Sequence, residues 1–132
     1  MASILLDTTV LIDLLRGRPG AVTGLRALRS AGDRPHACAI NVEEVIRGIR
    51  GEAETEAAMR LFVGLEVVAL AREEGQLAGE WRRSFGARGV TLTQADCLSA
   101  AAAVSIGGRL ATGNPSDFPM SELSVEHWPV GT

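Results

Sequence analysis

Four carboxylates stand where this chain passes from a strand or a loop into a helix: Asp7, Glu44, Asp96 and Asp117. Asp7 ends the apolar run Ile4-Leu5-Leu6, and the other three fall in the first turns of predicted helices. Carboxylate oxygens are the preferred ligands of hard cations such as Mg²⁺ or Mn²⁺. Helix N-termini keep neighbouring carboxylates ionised at neutral pH. One or two ions held this way polarise a phosphodiester, activate a water and stabilise the leaving oxygen. A second use is open for each acid. Asn41-x-x-Glu44, Thr93-x-x-Asp96 and Asn114-x-x-Asp117 are written as capping boxes. Pro115 at the first helical position strengthens the last of them, and Asp7 can cap the helix opening at Thr8. Capping alone, however, leaves four like charges on one edge with nothing to neutralise them.

The elements that must position these acids are legible as an alternation. Ile4-Leu5-Leu6 reads as a buried strand, and Val10, Leu11, Leu14 and Leu15 follow at helical spacing between Thr8 and Gly17. A second helix is predicted over 21–31, then a turn at Gly32-Asp33-Arg34-Pro35 and a strand from His36 to Ile40. Asn41 is the expected N-cap of the next helix, with Gly51 at its end. Further helices are predicted over 53–63, 71–85 and from Thr93 to Ser105, separated by a strand at Glu66–Leu70 and the loop Gly86-Ala87-Arg88-Gly89. The helix 93–105 is rich in alanine and small and apolar on nearly all sides, which marks it as central. Arg109–Thr112 and Ser124–Trp128 complete the strands. The pattern is α/β, with a mostly parallel sheet of four to five strands flanked by helices. In such a sheet, helix starts that follow strands share the carboxyl edge, where ligands bind, so the four acids are expected to converge there.

Composition narrows the chemistry. The chain has 132 residues, 46% of them hydrophobic, which suits a single domain, 1–132, with a real core. No apolar run spans a membrane, and the opening residues lack the charged and apolar regions of a secretory signal, so a cytoplasmic protein is expected. Cys38 and Cys97 match no zinc or redox spacing. All 13 basic residues are arginine, which excludes chemistry that needs a lysine. With a net charge of −3, a polyanionic substrate must be met by a bound cation or a local arginine patch. Arg47-x-x-Arg50 and Arg82-Arg83 are candidates for the patch, or simply solvated. Asp13 is expected to be a solvated helix residue, and His36 and His127 to be structural strand residues. From spacing alone, either Glu43 or Glu44 can face the edge.

Together, Leu6-Asp7-Thr8-Thr9-Val10-Leu11-Ile12-Asp13, Glu44-Val45-Ile46-Arg47-Gly48, Asp96-Cys97-Leu98-Ser99-Ala100-Ala101 and Leu110-Ala111-Thr112-Gly113-Asn114-Pro115-Ser116-Asp117-Phe118 resemble the PIN-domain family. More narrowly they resemble the VapC-type toxins of type II toxin–antitoxin pairs. The resemblance spans the chain and implies a three-layer PIN-like fold and a Mg²⁺- or Mn²⁺-dependent endoribonuclease acting on RNA. It also implies a homodimer and a VapB-type antitoxin whose tail covers the active edge. Carried over by position, Asp7, Glu44, Asp96 and Asp117 match the metal-holding acids. Thr112 and Asn114 match polar residues that orient ligands or water from behind. Gly113 stands where many relatives carry a larger or basic residue. A PIN nuclease of RNA processing without an antitoxin, or a non-catalytic interaction module, remains as an alternative. An aspartyl-phosphate receiver is disfavoured, because Thr9 stands where a second acid is needed and no lysine exists.

Overall fold

A computed structural model describes all 132 residues. The order is β1 (Ser3–Leu6), α1 (Thr8–Leu15), α2 (Pro19–Ser30), β2 (Arg34–Cys38), α3 (Ala39–Arg47), α4 (Gly51–Val63), β3 (Glu66–Val68), α5 (Arg72–Ala87), α6 (Gln94–Ser105), β4 (Arg109–Thr112), a 3₁₀ turn (Pro115–Asp117) and β5 (Val125–His127). The five strands form one sheet in the order β3-β2-β1-β4-β5, every pair parallel. β1, the strand that ends in Asp7, is therefore central. No helix is long and apolar enough to cross a membrane.

The period of two along β1 separates the core into two halves. Ile4 and Leu6 pack with Val10, Leu11, Leu25, Leu28, Val45 and Ala58 on the face covered by α1 to α4. Leu5 points the other way, into Trp81, Ala78, Leu92 and the buried run Ala100–Ala103 of α5 and α6. Helices thus cover both faces, giving three layers, which is why β1 is apolar without alternation. The alanines of α6 let its backbone lie close to the sheet, and four of the five, Ala100–Ala103, are buried.

Several predicted boundaries shift. β2 stops at Cys38 rather than Ile40, because α3 begins at Ala39. Gly48, not Gly51, closes α3; Gly51 has φ +79 and opens α4. α5 runs on through Gly86 and Ala87, and the left-handed turn that ends the excursion falls at Gly89, φ +81. β3 is three residues long, an edge strand with Val67 half in solvent.

Candidate carboxylate site

Asp7 follows β1 directly and has the extended backbone of an N-cap, yet its side chain does not cap α1. Its Oδ2 instead accepts a 2.8 Å hydrogen bond from the hydroxyl of Thr112, the fully buried last residue of the neighbouring strand β4. The register of β1 on β4 makes this meeting, with Leu6 opposite Ala111 and the next residue of each strand side by side. The Thr112 hydroxyl oxygen in turn accepts the backbone N–H of Asn114 at 3.1 Å. Burial dominates the electrostatics of Asp7. Desolvation pushes its pKa up to about 6 against the opposing bond from Thr112, and the charges of Asp96 and Glu44 push it further.

Glu44 lies in the second turn of α3, not the first, so the capping box expected with Asn41 is not formed. Asn41 is the third residue of the helix and caps from inside, its Oδ1 accepting the Cys38 backbone N–H at 2.9 Å. Glu44 turns toward α1, where its Oε1 accepts the hydroxyl proton of Thr8 at 2.7 Å. Glu43 is exposed and sits beside Arg47 one turn on, at 3.9 Å. Of the two adjacent acids, Glu44 faces the edge.

Asp96 is the third residue of α6, and here one arm of the capping box forms: Thr93 Oγ1 accepts the Asp96 backbone N–H at 3.1 Å, while the Asp96 carboxylate does not bond back to the Thr93 backbone. Its carboxyl is half-buried, and desolvation raises its pKa. A hydrogen bond to Thr93 opposes the rise, and the charges of Asp117 and Glu44 add to it. Asp117 ends the 3₁₀ turn and is exposed. The side chain of Asn114 makes no cap there, so the third predicted box is absent as well.

Asp7 feels the charges of Asp96 and Glu44, Asp96 those of Asp117 and Glu44, and none of the four acids forms an ion pair. The ion pairs of the protein join Arg34 and His36 to Glu66, Arg47 to Glu43, and Arg109 to Asp33 and Glu126. None reaches Asp7, Glu44, Asp96 or Asp117. No three Asp, Glu, His or Cys side chains stand close enough together to hold an ion between them. Mg²⁺ is commonly held by one or two carboxylates, with waters and substrate phosphates completing its shell. At most two of these carboxylates could therefore share one ion in this arrangement.

Beside Glu44 runs a groove of about 370 Å³ with Ile12, Leu15, Val45 and Ile49 on its walls and Arg16 and Arg50 among its lining. A larger cavity, about 410 Å³, lies between α2 and Trp128, and none of the four acids lines it. Arg82 is tied by its Nε to the Leu92 carbonyl at 3.1 Å.

One residue departs from expectation, and the small size of another is explained. Asp13 is buried, not solvated, and its Oδ2 accepts the Gly131 backbone N–H at 2.8 Å. Its spacing of three from Val10 placed it on the inner face of α1, a signal its charge concealed. Gly113 is small because the space a side chain would need is filled by Val130, while its backbone N–H is held by Thr9 Oγ1 at 2.9 Å. His36 is structural as expected: buried, with Nδ1 2.9 Å from the Arg34 carbonyl and Nε2 3.0 Å from Glu66. Thr8, Asn41 and Ser99 join the acid-bearing helices through hydrogen bonds that their places in the sequence motifs did not reveal.

A five-stranded parallel sheet between helices, with acids gathered on the carboxyl edge of its central strands, defines a class of α/β domain. The chain belongs to the PIN domain family, which it matches over residues 4–119, and lies among its VapC-type members. It is 36% identical over 121 residues to Ribonuclease VapC19 of Mycobacterium tuberculosis, a match covering 88% of this chain and 92% of that protein. Solved structures share the fold. VapBC2 from Rickettsia felis, bound to a DNA fragment from its promoter, aligns with TM-score 0.84 and 19% identity over 96% of this chain and 98% of that one. VapBC-1 from nontypeable Haemophilus influenzae aligns with TM-score 0.80 and 24% identity over 96% and 98%.

Proposed function

We propose that the protein is a Mg²⁺- or Mn²⁺-dependent endoribonuclease, the toxin of a toxin–antitoxin pair. The observation that carries this reading is a set of four carboxylates on one sheet edge with no basic partner, one of them buried and pushed up to about 6. A likeness to a VapC ribonuclease and to VapBC complexes supports the substrate and the partner.

Asp7, Glu44, Asp96 and Asp117 are the acids we assign to the cation, one or two of them binding it directly while waters and substrate phosphate complete its shell. Bound there, the ion supplies Lewis acidity to the phosphodiester and an ionisable water. The chain's own residues prepare the edge. Thr112 pins one oxygen of Asp7, and Thr8 pins one oxygen of Glu44. Asn114 contributes a backbone N–H that fixes the Thr112 hydroxyl rather than a side-chain contact. Arg16 and Arg50, on the groove beside Glu44, offer phosphate contacts that the net charge of the chain otherwise lacks. The same groove, apolar on its walls, suits the segment of an antitoxin.

The test begins with the cation, because an RNA assay against an unknown substrate gives uninformative negatives. Calorimetric titration of Mn²⁺ into the antitoxin-free protein should show binding that the Asp7→Asn/Asp96→Asn double variant loses with its circular dichroism unchanged. Cleavage of RNA by the wild type should stop on chelation and be absent in the double variant. Equal Mn²⁺ binding by both proteins would refute the site.

A further inference from the structure

We propose that Asn41 and Thr8 are positioning residues, holding Glu44 at the edge through a hydrogen-bond chain that has only one permitted direction. The inference rests on the proposed function, since Glu44 is one of the acids assigned to the cation.

Asn41 is fully buried, and its Oδ1 accepts the backbone N–H of Cys38 at 2.9 Å. A backbone N–H can only donate, so the amide oxygen must face it and Nδ2 must face the opposite way. There the two protons of Nδ2 have two acceptors, Thr8 Oγ1 and Ser99 Oγ, each at 3.2 Å. A threonine hydroxyl carries a single proton. Because Thr8 receives from Asn41, its own proton is free for Glu44 Oε1, 2.7 Å away. Ser99 likewise receives from Asn41 and turns toward Cys38 Sγ at 3.8 Å. One backbone amide at the end of β2 thus sets the sense of the whole chain, and no buried side-chain polar atom is left without a partner.

The placement of these residues gives the network its purpose. Thr8 follows Asp7, Asn41 precedes Glu44 by three residues, and Ser99 follows Asp96 by three. Each member of the network is therefore one residue or about one helical turn from an acid, and together they lock the starts of α1, α3 and α6. Glu44 lies within range of the charges of Asp7 and Asp96, and it forms no ion pair of its own. Repulsion alone would turn its flexible side chain outward; the Thr8 proton holds it in.

Direction, as distinct from packing, can be tested with near-isosteric changes. Asn41→Asp keeps the shape but replaces two donors by an acceptor, so Thr8 would donate to residue 41 and release Glu44. Thr8→Val removes the hydroxyl, and Thr8→Ser keeps it. Mn²⁺ is titrated calorimetrically into the metal-free wild type, these three variants, Glu44→Gln and the double variant Thr8→Val/Glu44→Gln, each checked by its unfolding midpoint. Thr8→Val and Asn41→Asp should lose about 10- to 100-fold in affinity, the range for groups that orient metal ligands. Thr8→Ser should bind as the wild type, and Thr8→Val should cost nothing further once Glu44 is Gln. Wild-type affinity in Thr8→Val, or an undiminished loss in the Glu44→Gln background, would overturn the positioning role. Absent wild-type binding, or unchanged binding by Glu44→Gln, would instead remove Glu44 from the cation site and the positioning role with it. Should Asn41→Asp not fold, the Thr8→Val and Thr8→Ser pair decides.

Discussion

At the scale of single residues, Asp7 is where folding and chemistry oppose each other. Its carboxyl is buried at the end of the central strand and accepts one side-chain hydrogen bond, from Thr112. Its pKa stands at about 6, against an ordinary value of 3.8. Since the folded state holds the proton more tightly than the unfolded chain, Asp7 favours folding below about pH 4 and loses that contribution as pH rises through about 6. The difference is on the order of 3 kcal/mol at neutral pH. Asp7→Asn should therefore stabilise the metal-free protein at pH 7.5 by roughly 2–3 kcal/mol in urea unfolding, with the gain shrinking toward pH 4. The amide can still accept from Thr112. An Asp7→Asn protein less stable than wild type at pH 7.5 would show that burial is not the dominant influence on this carboxyl.

At the scale of elements, close approach explains more than propensity does. The 128–132 segment lies over α1 and α2. Gly131 donates to Asp13, Val130 fills the space over Gly113, and the Trp128 ring occupies the position that a side chain at Gly24 would need. Gly113→Ala should cost about 1–3 kcal/mol as an overpacked contact, read by thermal unfolding, and Val130→Ala should recover much of that loss in the double variant. Simple additivity of the two changes would mean the pair does not touch. This packing was illegible in the sequence, because Gly113 and Val130 are far apart in the chain and neither has a periodic signature. The alternation of strands and helices was legible, since β1, β4 and α6 are buried on nearly every side and their sequences say so. Helix starts were harder to place. Asn41 has the chemistry of an N-cap and does cap, but from the third position, so α3 begins before it and Glu44 falls a turn later than its spacing suggested. The acids themselves were readable from position, because strand ends and helix starts in a parallel sheet share one edge. Of their tethers, Thr112 was marked by the resemblance as a residue that orients ligands, whereas the links made by Thr8 and Asn41 depend on tertiary contacts with partners 36 and 33 positions away.

At the scale of the whole molecule, the proposed function sets a bound cation against a net charge of −3 and four acids that form no ion pairs. A ligand that binds only the folded state stabilises it by an amount set by its concentration over Kd, about 2.7 kcal/mol at a hundredfold excess. Under the proposed function that gain belongs to the wild type and not to Asp7→Asn. The two proteins should accordingly exchange rank. Without metal at pH 7.5, Asp7→Asn melts above the wild type; in saturating Mn²⁺ the wild type rises to meet or pass it, while the variant stays where it was. Proton competition sets the pH limit of this effect. A cation needs the ionised carboxylate, so the shift given by a fixed Mn²⁺ concentration should fall as pH is lowered through about 6, where Asp7 takes up its proton. Differential scanning calorimetry of both proteins, with and without Mn²⁺ at pH 7.5 and 5.5, reads all four corners. An Mn²⁺ shift of equal size in both proteins would place the ion away from Asp7, and an Mn²⁺ shift that grows at pH 5.5 would contradict the proton competition.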